Sequence, residues 1–129
     1  MDGRTLGQVG ERRARWFYRL RGYRIVGTNV RLRGGELDLV VRRRSTLVFV
    51  EVKTRRSRTA GEGFDAVDQT KRHQIARVAA EYLAKMQPRN VQVRFDVVSI
   101  FFDGSRFTIT HFEDAFRMES DPRRPWRWK

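Results

Sequence analysis

Two apolar stretches decide the fold, Gly35-Glu36-Leu37-Asp38-Leu39-Val40-Val41 and Leu47-Val48-Phe49-Val50-Glu51-Val52-Lys53, with a short basic connection between them. Their β-branched and aromatic residues predict two strands joined as a hairpin. Each stretch carries a carboxylate among apolar neighbours, Asp38 in the first and Glu51 in the second. Side chains two residues apart on a strand share a face and lie about 6–7 Å apart. We therefore expect Glu51 and Lys53 to point the same way and the hairpin to bring Asp38 to them.

Asp38, Glu51 and Lys53 admit two interpretations. Two adjacent carboxylates suit a hard divalent cation, Mg²⁺ or Mn²⁺, which prefers oxygen ligands. Such an ion binds a phosphate oxygen and lowers the pKa of a coordinated water, while a lysine orients that water or offsets charge in the transition state. The other interpretation is an ion-pair network at a strand end, which also avoids burying unbalanced charge. The residue types alone leave both interpretations open.

The whole chain predicts an α/β protein with the element order α-β-β-β-α-β-β. Helical periodicity covers residues 6–20 and 68–87, and Asp65 or Asp68 can cap the second helix. The third predicted strand is apolar at nearly every position, so we expect it at the centre of the sheet. Asp103-Gly104 predicts a hairpin turn between the last two strands. The strands are predicted at residues 23–31, 36–42, 46–53, 91–102 and 106–112.

The predicted domain spans residues 1–115, followed by a mobile or loosely docked tail at residues 116–129. The tail is basic and contains Trp126 and Trp128, which could stack on unpaired bases or simply belong to a disordered end. Residues 54–63 are basic, contain glycine and lack apolar periodicity, which predicts an exposed loop.

The first helix carries residues at three- and four-residue steps that we interpret as its buried face, with Trp16 and Phe17 in the core. Glu11 lies among arginines on this helix and is most simply one partner of a solvated charge pair. The residues of the expected buried face are Leu6, Val9, Arg13, Trp16, Phe17 and Leu20.

Charge is the strongest compositional signal. The 129 residues include 28 basic and 15 acidic ones, giving a formal net charge of +13. Such a field favours a nucleic-acid partner, although a GC-rich genome also enriches arginine. The absence of cysteine excludes disulfides and thiolate metal sites. No apolar run is long enough to cross a membrane and none resembles a secretory signal, so we expect a cytoplasmic protein without a membrane partner.

Polar and basic residues near the two strands are candidate contacts to a nucleic-acid backbone. Lys71 and Gln74 stand one turn apart near the start of the second helix, where a phosphate could bind. A solvated helix face explains this pair equally well. The arginines that flank the charged strands in sequence are expected to form a basic rim beside them: Arg42, Arg43, Arg44, Arg55 and Arg56.

Asp38, twelve intervening residues and then Glu51-Val52-Lys53 resemble the D…(D/E)-x-K motif of restriction-endonuclease-like nucleases. Archaeal Holliday-junction resolvases of that superfamily add a metal-linked glutamate from the first helix, a role to which Glu11 corresponds. Longer stretches resemble the YraN-like family of uncharacterised bacterial nuclease-like proteins over roughly residues 5–102. These stretches include Gly7-Gln8-Val9-Gly10-Glu11-Arg12-Arg13-Ala14, Gly22-Tyr23-Arg24-Ile25, Gly35-Glu36-Leu37-Asp38-Leu39-Val40, Val48-Phe49-Val50-Glu51-Val52-Lys53-Thr54-Arg55 and Arg94-Phe95-Asp96-Val97-Val98-Ser99-Ile100.

The resemblance implies a restriction-endonuclease-like domain, with a mixed central sheet flanked by helices, and nuclease activity that depends on Mg²⁺ or Mn²⁺. Asp38, Glu51 and Glu11 would then be metal ligands, Glu11 directly or through water, and Lys53 a catalytic residue. DNA, branched or otherwise structured, is the expected substrate, and a homodimer is consistent with a resolvase. The motif often has proline before its first aspartate, where this chain has Leu37. The alternative is a nucleic-acid-binding module that keeps the nuclease fold without turnover.

Overall fold

The computed structural model describes residues 1–56 and 69–116, together with the backbone of residues 118–121 and 124–128. Two helices are present in this part of the chain, α1 at Gly3–Arg19 and α2 at Gln69–Met86. The strands are β1 (Arg24–Leu32), β2 (Gly35–Arg43), β3 (Thr46–Arg55), β4 (Gln92–Phe102), β5 (Phe107–Phe116), β6 (Met118–Asp121) and β7 (Arg124–Trp128).

Strands β1 to β5 form one mixed sheet in sequence order, with β3 at its centre. The neighbouring strands pair antiparallel except β3 and β4, which pair parallel. A parallel pair needs a long crossover, and α2 lies in the connection between β3 and β4. The predicted α/β class, the order α-β-β-β-α-β-β, the β2–β3 and β4–β5 hairpins and the central position of β3 are all confirmed.

The sheet separates two apolar clusters, one under each helix. Phe49 and Phe95 pack with Val78 and Tyr82 of α2 in one cluster. Ala14 and Tyr18 of α1 pack in the other cluster, against strand residues that include Val48, Val98 and Ile100. Because both faces of β3 are covered, its residues 47–51 are all buried, which explains why they show no polar alternation.

The face of α1 that packs on the sheet differs from the expected one. The buried residues of α1 are Leu6, Gly10, Ala14 and Tyr18, whereas Trp16 is 54% and Leu20 77% exposed. Gly10 lies so close to the Thr54 side chain that a Cβ atom would collide with it. The prediction of Trp16 as a core residue was therefore wrong, since close approach of the helix through small residues outweighs the burial of its large ones.

The remaining expectations for loops and tail are tested only in part. Strand β3 continues to Arg55, two residues beyond its predicted end and into the segment expected to be a loop. The rest of that loop and the proposed caps Asp65 and Asp68 lie outside the described residues. In the tail, the backbones of β6 and β7 pair as a separate antiparallel sheet. None of the described helices is long and apolar enough to cross a membrane.

A buried carboxylate, Asp96 of β4, joins α1 to the β4–β5 hairpin. It accepts hydrogen bonds from Tyr18 Oη at 2.8 Å and from Arg94 Nε and Nη2, both at 2.9 Å. The Asp114 backbone N–H donates to it at 2.9 Å, and His111 Nε2 lies 2.8 Å away. Burial alone would raise the pKa of Asp96, but these hydrogen bonds outweigh it and hold the pKa at about 2.

We expect Asp96→Asn to destabilise the fold by about 3 kcal/mol, because the partly buried Arg94 guanidinium keeps only Glu113 as a counter-charge. Urea unfolding at neutral pH measures this loss. Glu36→Gln is the matched control, since Glu36 forms only a solvent-exposed ion pair with Arg31 among the contacts described here, worth less than about 1 kcal/mol. A loss for Asp96→Asn no larger than that of the control would contradict the role assigned to Asp96.

Candidate active site

Asp38 and Glu51 meet where the β2–β3 ladder stops. The last backbone pair of that ladder is Leu39 with Val50, so Asp38 and Glu51 come one residue further along each strand. Asp38 Oδ2 accepts a hydrogen bond from the Val52 backbone N–H at 2.9 Å. The Asp38 carboxylate thus takes the place of a backbone carbonyl and is held beside Glu51 by the end of the sheet.

Glu51 is almost fully buried, with a residue exposure of 6%. Burial raises the pKa of Glu51, the negative charge of Asp38 raises it again, and the pKa reaches about 7. A hydrogen bond between the two carboxyl groups acts in the same direction, while the nearby charges of Lys71 and Lys53 oppose it. At neutral pH the two carboxyl groups therefore hold a proton between them for much of the time.

Two lysines surround the carboxylate pair. Lys71, in the first turn of α2, places Nζ 3.5 Å from Glu51 Oε1. Lys53, two residues after Glu51 on β3, lies near enough for its positive charge to lower the pKa of Glu51. The predicted proximity of Asp38, Glu51 and Lys53 is thus found. Lys71, for which a phosphate contact and a solvated helix face were both open, lies beside Glu51, and its binding of a phosphate stays a prediction.

Gln74 lies one turn further along α2 and packs at the start of β2. A Cβ atom at Gly35 would be 3.1 Å from Gln74 Nε2, and Gly35 has a φ of +144° that other residues rarely adopt. The first turns of α2 therefore contact the hairpin at two points, Gln74 at Gly35 and Lys71 at Glu51. This contact holds the helix close to β2 through a residue without a side chain.

Glu11 is connected to the strand beside Asp38 through a hydrogen bond with Asn29. Asn29 Nδ2 donates a hydrogen bond to Glu11 Oε2 at 3.3 Å. Thr28 and Val30 of β1 pair with Leu39 and Leu37, which places Asn29 across from Asp38. Among the described residues no three acidic or histidine side chains come together as a metal-ligand group, so a direct ligand role for Glu11 is not found. A contribution through water stays a prediction.

The donor set at Asp38 and Glu51 fits a hard divalent cation. Mg²⁺ is commonly held by one or two carboxylates and keeps several water ligands, so two carboxylates suffice. The raised pKa of Glu51 reflects an excess of buried negative charge, which a cation would relieve. Asp38 and Glu51 could therefore hold such an ion.

The predicted basic rim divides into two groups. Arg55 and Arg56 follow Lys53 at the same end of β3, beside the carboxylate pair as expected. The arginines of the β2–β3 turn lie at the opposite end of the hairpin, because their strand neighbours pair from Arg42–Leu47 to Arg43–Thr46. They are four to six residues beyond Asp38, about 13–20 Å along the strand. The prediction that Arg42, Arg43 and Arg44 lie beside the site was therefore wrong.

Two residues that position the site, Asn29 and Gly10, were not predicted from the sequence. Asn29 links Glu11 to the strand beside Asp38, and its φ of 48° allows this bend in β1. Asparagine tolerates this left-handed conformation better than most residues, which is the signal that could have identified it. Gly10 allows Thr54 to contact α1 and so sets the height of Glu11 above the sheet, a contact that no local pattern reveals.

Fold and site together define an α/β protein with a carboxylate pair, one member of it buried, and two lysines at one end of its central strands. The profile of Uncharacterised protein family UPF0102 matches residues 10–100. A UPF0102 protein of Pelobacter propionicus is 43% identical over 120 residues, 91% of this chain and 86% of that protein. A UPF0102 protein of Nocardia farcinica is 45% identical over 116 residues, 89% of this chain and 91% of that protein. The chain belongs to the UPF0102 family, as its resemblance to the YraN-like proteins predicted.

The raised pKa of Glu51 predicts a pH-dependent stability that Glu51→Gln removes. Between 4.5 and about 7, the folded protein binds a proton at Glu51 that the unfolded chain releases. Stability contributed by Glu51 is therefore lost as the pH rises through this window. Relative to the wild type, Glu51→Gln should gain about 2 kcal/mol on going from about pH 5 to about pH 8.

Urea unfolding of both proteins in the presence of a chelator measures this difference. Glu36→Gln, a neutralised exposed glutamate on the same hairpin, should follow the wild-type pH dependence. Identical pH dependences for Glu51→Gln and the wild type would show that Glu51 titrates as it does in the unfolded chain.

Proposed function

We propose that this protein is a metal-dependent endonuclease that hydrolyses phosphodiester bonds in DNA, acting on branched or otherwise structured DNA. The observation that carries the proposal is the buried Glu51 carboxyl group next to Asp38, with Lys53 and Lys71 beside the pair. An ion-pair network that serves only stability should leave its carboxylates ionised. The pKa of Glu51 is instead raised to about 7 by burial and by the charge of Asp38, a perturbation that is more typical of functional sites.

Asp38 and Glu51 would hold Mg²⁺ or Mn²⁺, and the bound ion would supply a lowered pKa for water and charge stabilisation for phosphate. Loss of the Glu51 proton accompanies cation binding, because a carboxylate binds metal in its ionised form. The Val52 N–H holds Asp38 in one orientation, so little ordering is needed when the cation arrives.

Lys53 acts directly beside the phosphate that is hydrolysed. Its ammonium group orients the attacking water and offsets the negative charge that builds up on the phosphate oxygens. Water adds to phosphorus, the bond to one ester oxygen breaks, and a phosphate monoester and a free hydroxyl result. Lys71, 3.5 Å from Glu51, would place a second positive charge where a phosphate oxygen could accept a hydrogen bond from it.

Arg55 and Arg56 continue from Lys53 along the same end of β3 and supply contacts to the DNA backbone that position it without reading sequence. The net charge of +13 attracts the polyanion and makes binding salt-dependent.

One observation favours the alternative, a nucleic-acid-binding module without turnover. Lys71 offsets part of the negative charge of Glu51 from 3.5 Å, and the described residues bring no third carboxylate to the pair. A site balanced internally in this way can persist without a cation, and the basic surface alone would then bind the nucleic acid.

Asp38→Ala and Lys53→Ala are expected to lower cleavage at least about 100-fold, while binding at moderate salt survives. The assay uses single-stranded, duplex, flap and four-way-junction DNA with Mg²⁺ or Mn²⁺, with Glu51→Gln run alongside. Lys85→Ala, which removes an exposed lysine from the other end of α2, is the control and should cleave like the wild type. Equal losses of binding and cleavage would indicate that Asp38 and Lys53 maintain the fold instead.

Calorimetry with Mn²⁺ separates the two candidate functions directly. The wild type should release or absorb heat on titration, and Asp38→Ala should not, because one of the two ligands is gone. Heat of binding should fall in wild type as the pH drops below about 7, where the proton competes with the cation at Glu51. No heat in the wild type at about pH 8 would favour the binding module.

A further inference from the structure

The outer face of α1 exposes an aromatic and apolar surface that the fold does not use. Trp16 is 54% and Leu20 77% exposed, and together with Phe17 and Ile109 of β5 they line a groove of about 520 Å³. We call this the α1–β5 groove. Isolated exposed apolar residues are ordinary, but several grouped in one groove indicate a contact surface.

Cations rim the groove. Its other described lining residues are Arg12, Arg13 and Arg21, and none of the described lining residues is acidic. Arg21 lies with its guanidinium carbon 3.5 Å from the Phe17 ring centroid, and Arg13 lies 4.1 Å from that of Phe107. Arginines stacked on rings in this way are already ordered, so they lose less freedom when they bind a ligand.

The groove is separate from the candidate active site. Glu51 faces α2, since it pairs with Lys71, whereas α1 covers the other side of the sheet through Ala14 and Tyr18. A ligand in the groove would therefore occupy a different face of the molecule from the substrate of the proposed nuclease.

We propose that the α1–β5 groove binds an unpaired nucleic-acid strand, with a base stacked on Trp16 and phosphates contacted by Arg12 and Arg21. An exposed indole beside arginines matches the combination of stacking platform and positive charge that binds single strands without sequence preference. Duplex bases are stacked on one another and cannot offer a face to Trp16. The net charge of +13 complements the polyanion. The inference stands without the proposed nuclease activity.

Fluorescence anisotropy of end-labelled oligomers of about 20 nucleotides, deoxythymidine and uridine in parallel, tests the proposal on the full-length protein with a chelator present. Trp16→Ala should bind the preferred oligomer about tenfold more weakly, and Trp16→Phe should recover part of the loss. Arg12→Ala should reduce the slope of log K against the logarithm of the salt concentration by about one, the contribution of one phosphate contact. The oligomer that binds more tightly identifies the strand as DNA or RNA.

Three controls make the outcome decisive. Met86→Ala removes a side chain of similar exposure, 56%, from the end of α2 and should bind like the wild type. The heat of Mn²⁺ binding should be the same for Trp16→Ala as for the wild type, which separates failure of the nuclease proposal from failure of this one. Duplex of equal length should be insensitive to Trp16→Ala.

Unchanged single-strand binding by a folded Trp16→Ala protein would overturn the proposal. So would equal weakening towards duplex, or an equal loss of binding to polyglutamate of matched charge, which would indicate an acidic protein partner. Thermal unfolding of each variant verifies that it is folded.

Discussion

The packing of α1 onto the β4–β5 hairpin depends on one buried ion, the Asp96 carboxylate. Four groups from different parts of the chain converge on it, namely Tyr18 of α1, Arg94 of β4, His111 of β5 and the Asp114 backbone. A charge at 0% exposure is tolerated only because every direction of approach brings a donor or a cation. Its low pKa, about 2, is the mark of a carboxylate whose ionised form is fully stabilised.

Glu51 is buried to a similar degree, yet its surroundings are the opposite. Its neighbours include a second carboxylate, Asp38, and its pKa rises to about 7. The same chain therefore holds one buried carboxylate whose ionised form is stabilised and one whose ionised form is opposed by burial and by Asp38. The first is explained by folding alone. The second costs stability at neutral pH, and such a cost, kept at the end of the central strands, is typical of a site that serves a ligand rather than the fold.

Much of this was predictable because strand patterns are local. The apolar runs of β2 and β3 fixed the hairpin, and its pairing brought Asp38, Glu51 and Lys53 together. The errors arose where tertiary contacts decide. The arginines of the turn between β2 and β3 are close to Glu51 in sequence but at the far end of the hairpin in space. Convergence on Asp96 requires the β4–β5 register and the docking of α1 at once, and no short pattern contains both.

The same docking constraint explains the exposed face of α1. Gly10 and Ala14 permit the helix to approach the sheet closely, and Gly10 meets Thr54 with no room for a side chain. That approach lets Tyr18 reach Asp96. Residues two positions from this stripe on a helix point well away from it, so Trp16 and Leu20 are directed outward. A helix positioned by its large residues would have hidden Trp16 and lost the hydrogen bond to Asp96. Because the small residues of α1 face the sheet, Tyr18 reaches the buried Asp96 and Trp16 is exposed.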